Sequence, residues 1–111
     1  SFGVNFDPSH DVLYGHLDTG WLVRAWGKQA IKHVHLKDAA GFPVMNQFLF
    51  PFPGEGFVDW KGMFSALRGQ EYAGYLSVEF ESFRYHQQVL RGDTLEAAKR
   101  CLYDVRMLMK L

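Results

Sequence analysis

The chain has 111 residues, 48% of them hydrophobic and 16% aromatic, and a formal net charge of zero. That length allows one domain at most, and that composition belongs to a chain that buries a core. A neutral balance without a stripe of Lys and Arg gives no support for sequence-independent nucleic-acid binding, and no apolar run approaches the roughly 20 residues of a membrane span.

Residues 3–7 run into Pro8 and read as a buried parallel strand. A polar loop over 8–17 follows, with Gly15 in it. Asp18 or Thr19 can cap a helix running to about Lys28, with Trp21, Leu22, Ala25 and Trp26 on one face. Residues 31–36 form a second strand. A long loop from Asp38 to Val58 is rich in Gly, Pro and Phe, and loops of that length inside a compact domain are usually functional. Asp59 can cap a helix with Trp60, Met63, Phe64 and Leu67 at helical spacing, ended by Gly69. Residues 74–80 make a third strand and 81–92 a further polar loop. Asp93 and Glu96 then stand at capping-box spacing before a helix whose apolar stripe is Leu95, Ala98, Leu102, Val105 and Met109.

The order is therefore β-α-β-α-β-α, an α/β arrangement whose parallel strands are joined by right-handed crossovers. Cys101 cannot form an internal disulfide, which fits a reducing, cytoplasmic setting, and its helical position makes it core packing. Ser1 stands almost against a strand, so the chain reads as starting inside a larger protein.

Each strand ends in residues that bind metals. Asp7 closes the first, and the turn at Pro8 lets His10 fold back toward it. His33 and His35 lie two apart on the second strand and share a face. His35, nearer the strand end, is the expected ligand, and His33 a hydrogen-bonded core residue. Lys37 continues that face and can meet an anionic group. Glu79 and Glu81 repeat the spacing on the third strand, where a buried carboxylate needs a cation nearby. Glu81 reads as a rim carboxylate. Sites of α/β sheets and barrels sit at this end of the strands. Mixed Asp, His and Glu ligation suits Mn, Mg, Co, Fe or Zn without choosing among them.

Four stretches, Asn5-Phe6-Asp7-Pro8-Ser9-His10, His33-Val34-His35-Leu36-Lys37-Asp38, Pro53-Gly54-Glu55-Gly56 and Ser77-Val78-Glu79, resemble the last three βα units of the xylose isomerase-like TIM-barrel superfamily, in its order and at about its spacing. The sugar phosphate isomerases and epimerases are the most similar in appearance. The resemblance covers residues 1–111 and implies a partial barrel, the C-terminal part of a (β/α)8 fold. It implies metal ligation by Asp7, His35 and Glu79, with Glu79 and His10 in catalysis. It also implies a sugar or sugar phosphate held by His10, Lys37, Glu55 and Arg84. The activity it implies is divalent-metal-dependent isomerisation or epimerisation through an enediolate. A fourth ligand and a second acid/base glutamate come from earlier strands of the family that nothing here matches. Related AP endonucleases carry extra zinc ligands before the Gly-Glu-Gly loop. Here that stretch is Phe48-Leu49-Phe50-Pro51-Phe52-Pro53, without a ligand, which argues against DNA cleavage.

A typical barrel has about 250 residues and eight strands. Three strands leave two edges that invite pairing, so a non-catalytic truncated barrel, a sugar-binding or assembly module, and a homo-oligomer are the alternatives the sequence raises.

Overall fold

The computed structural model describes residues 2–111. Its centre is a three-stranded parallel sheet in the order β1 (Val4–Phe6), β2 (Ile31–Leu36) and β5 (Tyr75–Val78). The three strands stand where expected, though β1 and β5 are shorter than the apolar runs that announced them. Leu36 O accepts from Glu79 N at 3.1 Å, so the ladder reaches Glu79 beyond the last paired residue.

The two faces of this sheet differ sharply. Phe6, Val34 and Leu36 point to the helices and are buried, with Leu76 and Val78 packed against the same core. Asn5, Asp7, His33, His35, Lys37, Ser77 and Glu79 occupy the alternate positions and point the other way.

Two helices lie beneath the sheet. α2 (Thr19–Trp26) is capped by the Asp18 carboxylate and α3 (Trp60–Gly69) by that of Asp59. The α3 face is the expected one, with Trp60, Met63, Phe64 and Leu67 all buried. The α2 face is not. Thr19, Leu22 and Val23 are buried, while Trp21 is 56% exposed and Trp26 50%. Ala25 also faces outward. The cause is Thr19, whose hydroxyl donates to Asp59 O and turns that edge of α2 toward the start of α3.

Three segments expected to be loops contain elements. Residues 8–17 hold α1 (Pro8–Gly15), with Pro8 at its first position and Asp7 as its N-cap, accepting from Ser9 N. Asp-Pro is thus a helix start here and not only a strand-ending turn. The long loop carries a small antiparallel pair, β3 (Ala40–Gly41) and β4 (Phe48–Leu49). Residues 81–92 hold α4 (Phe83–Gln88), six residues with none buried and no side-chain cap, too short and polar to show a period.

The last helix, α5 (Thr94–Leu108), is capped by Asp93 as expected, but its buried residues are Ala97, Cys101 and Val105. Of the expected stripe only Val105 is buried. Leu95 is 65% exposed, and Leu102 and Met109 also face outward. Arg100 sets this rotation. Its guanidinium lies 4.7 Å from the centre of the buried Phe52 ring and 3.5 Å from the Glu55 carboxylate, which turns the neighbouring small residues inward. Cys101 is core packing, and burial pushes its thiol up to about 11. Among the described residues, no helix is long and apolar enough to cross a membrane.

Candidate metal centre

Parallel pairing in register brings three strand ends together. Phe6 pairs with Val34 and His35 with Ser77, so Asp7, His35 and Glu79 follow at one level. Each offers one ligand atom, and these atoms lie within 4.8 Å of one another. The sheet alternation puts all three on the polar face.

Asp7 and Glu79 are each held through one carboxylate oxygen and turn the other toward the cluster. Asp7 Oδ1 accepts from Ser9 N at 3.0 Å and from Ser9 Oγ at 2.6 Å, which is the cap of α1. Its Oδ2 faces the cluster, 3.4 Å from His10 Nε2 and 3.2 Å from Lys37 Nζ. Glu79 Oε1 accepts from Lys37 Nζ at 3.1 Å. Glu79 Oε2 is shielded from water and accepts no hydrogen bond, although His35 Nδ1 lies 2.7 Å away. A carboxylate oxygen and an imidazole nitrogen this close can share an electrophile, or pair directly when the imidazole carries a proton on that side. A buried carboxylate oxygen without a donor is costly. A divalent cation fits this donor set of two carboxylates and an imidazole, and the chemistry of the set leaves its identity open.

His33 stands one step deeper. Its Nε2 is 2.8 Å from Ser77 Oγ, and its ring meets that of His35 edge to face at 5.4 Å. It has the hydrogen-bonded role expected of it and orients the His35 ring by contact.

Lys37 is the buried cation of the site, with 3% of its side chain exposed. It donates to Glu81 Oε2 at 2.7 Å as well as to Glu79, and the Phe50 ring covers it at 4.7 Å. Burial disfavours its charge. The hydrogen bonds to Glu81 and Glu79, with the charge and hydrogen bond of Asp7, outweigh that and hold its pKa above the usual lysine value. Asp11, in the first turn of α1, has its carboxyl raised by burial and by the Asp7 charge, against the opposing effect of His10.

Two other sequence candidates stand elsewhere. Glu55 pairs with Arg100 of α5 and is exposed. Arg84 lines a cleft of about 260 Å³ with Asn46, Phe50, Glu81, Ser82 and Phe83. Phe50 and Glu81 also touch Lys37, so this cleft adjoins the cluster.

Asp38 is the residue the sequence reading passed over. It is fully buried, and its carboxylate accepts five hydrogen bonds. Oδ1 takes Ala39 N and Val58 N, and Oδ2 takes Gly54 N, Gly56 N and Trp60 Nε1, all between 2.9 and 3.1 Å. This ties the loop that carries Phe50 to the end of β2. It also explains the Gly-Glu-Gly sequence. A Cβ at Gly56 would fall 2.3 Å from Asp38 Oδ1, and Gly54 adopts φ +94°. The available signal was a charged residue at a strand end followed by glycines and a tryptophan, whose N–H groups need an acceptor.

Comparison with known proteins agrees with this geometry. The family model described as xylose isomerase-like TIM barrel matches residues 1–105. Inosose dehydratases of Salmonella agona and Salmonella typhimurium are each 38% identical over 93 residues, covering 72% of this chain and 29% of the relative. The chain thus spans less than a third of the length of these curated relatives. The crystal structure of a xylose isomerase domain protein from Planctomyces limnophilus superposes with a TM-score of 0.68 at 27% identity, covering 97% of this chain and 39% of that one. With its parallel strands, helical layer and strand-end site, the chain belongs to the xylose isomerase-like TIM-barrel family.

Proposed function

We propose that this chain is the C-terminal three βα units of a divalent-metal-dependent isomerase or epimerase acting on a sugar or sugar phosphate. The observation that carries the reading is the convergence of Asp7, His35 and Glu79, with one oxygen of Glu79 shielded from water and 2.7 Å from His35 Nδ1.

Asp7, His35 and Glu79 would hold a divalent ion, whose charge would polarise a substrate carbonyl and acidify the adjacent C–H. Glu79 would then move the proton with Oε1, the oxygen on the Lys37 side that the His35 contact leaves out, since its carboxylate faces the polar side of the sheet. The Lys37 ammonium stabilises negative charge developing on the substrate oxygen. His10, half-exposed at the mouth and edge-on to Phe50 at 5.9 Å, holds a substrate hydroxyl. Phe50 keeps water from that side. The rest of the substrate extends into the adjoining cleft, where Arg84 and Asn46 offer donors. Glu55 acts on this site indirectly, through Arg100 and the fold of the loop.

The inosose dehydratase relatives favour a second reading, in which the same proton removal is followed by loss of a neighbouring hydroxyl. One experiment addresses both. The whole protein carrying these units, loaded with Mn²⁺, is incubated with ketoses, their phosphates and inososes in D₂O. Deuterium should enter the carbon beside the carbonyl, and Glu79→Gln should slow that exchange by about a hundredfold or more. The product identifies the reaction, since a dehydrated product points to the second reading. Exchange unaffected by Glu79→Gln would remove Glu79 from both.

A further inference from the structure

Lys37 touches three carboxylates, and they are not equivalent. Asp7 Oδ2 lies 3.2 Å away and Glu79 Oε1 3.1 Å, and both belong to the candidate metal ligands. Glu81 Oε2, at 2.7 Å, is nearer and lies outside that set. The ammonium is enclosed by the Phe50 ring and is almost wholly shielded from water.

Three carboxylates and one ammonium leave two negative charges, which one divalent ion neutralises. Without the ion, Asp7 and Glu79 are like charges at the ends of the two strands that flank β2, and the lysine at the end of β2 holds them facing each other. With the ion, lysine and metal draw on the same two residues. Like charges repel strongly at such separations in a shielded site.

We propose that Lys37 is a positioning residue that sets the metal affinity of the site, holding Asp7 and Glu79 together before an ion binds and yielding toward Glu81 when it does. The inference rests on the metal reading above. Its consequence is a site preformed in the absence of metal but bound more weakly than its carboxylates alone would allow, so that the ion remains exchangeable. Removing a lysine that serves only as packing would leave ion binding unchanged, and removing one that serves only as support for the ligands would weaken it.

The sign of the change is the test. Mn²⁺ is titrated calorimetrically into the chain at one neutral pH and fixed ionic strength. Lys37→Met should bind Mn²⁺ about tenfold or more tightly than wild type, because a repelling charge within a few ångströms is gone. Lys37→Arg keeps the charge and should bind no tighter than wild type. Glu81→Gln, at the exposed rim, should bind more weakly, because the ammonium then leans on Asp7 and Glu79 alone. Equal or weaker binding by folded Lys37→Met overturns the proposal. Should Lys37→Met not fold, unchanged or tighter binding by Glu81→Gln overturns it instead. A folded wild-type chain that binds no Mn²⁺ removes the metal reading and this inference together. One-site binding by wild type without tightening in Lys37→Met removes this inference alone.

Discussion

Asp38 shows how much one side chain can organise. Its carboxylate satisfies four backbone N–H groups and an indole in a place closed to water. Asp38→Asn replaces one acceptor oxygen with an amide that faces N–H groups. At least two donors then lose their partner in a buried place, which should cost about 3–5 kcal/mol in urea unfolding. Asp59→Asn, at an exposed cap where the amide oxygen still serves, should cost less than about 1 kcal/mol. Similar losses for the two would deny Asp38 its central role in the loop. At this scale the sequence was legible where spacing alone carries the information. Asp7, His35 and Glu79 came together because residues two apart on a strand share a face and parallel strands end at one level. Asp38 was not legible, because its partners lie up to 22 positions away, and the loop between them has no period.

The elements divide in the same way. Strands β1, β2 and β5 and helices α2, α3 and α5 each had a cap, a breaker or a run of apolar residues to mark them. α1 carried a marker, Asp-Pro, that serves turns and helices alike, and α4 and the β3–β4 pair are too short for one. Rotation was harder to see than existence. An apolar stripe drawn through Leu95, Leu102 and Met109 stands about a quarter turn of the helix from the one that packs, Ala97, Cys101 and Val105, and the aromatic and ionic contacts of Arg100 choose between them. This has a measurable consequence. Leu102→Lys should change stability by no more than about 0.5 kcal/mol, as exposed substitutions do. Ala97→Leu must force a larger side chain between α5 and the core and should destabilise by about 1–3 kcal/mol. Thermal unfolding of the two variants compares them, and the reverse order would contradict the rotation of α5.

For the whole molecule the governing fact is asymmetry. One face of the sheet is apolar and covered by helices. The other carries nearly all the titratable side chains of the strands, with edges at β1 and β5. A small domain seldom gathers Asp, His, Lys and Glu on one sheet face, because each needs a partner there. Here the partners are largely one another, and the three carboxylates around Lys37 leave an excess of negative charge that a cation would offset. Three adjacent strand ends are enough to converge the candidate ligands, so the chain should bind a divalent ion by itself, more weakly than a barrel with a fourth ligand. Calorimetric titration of Mn²⁺ into the chain and into an Asp7→Ala/His35→Ala variant tests this most directly. One-site binding by the chain, lost in a variant that keeps its fold by circular dichroism, is the expected result. A folded chain that binds no Mn²⁺, or a variant that binds it as well, would contradict it.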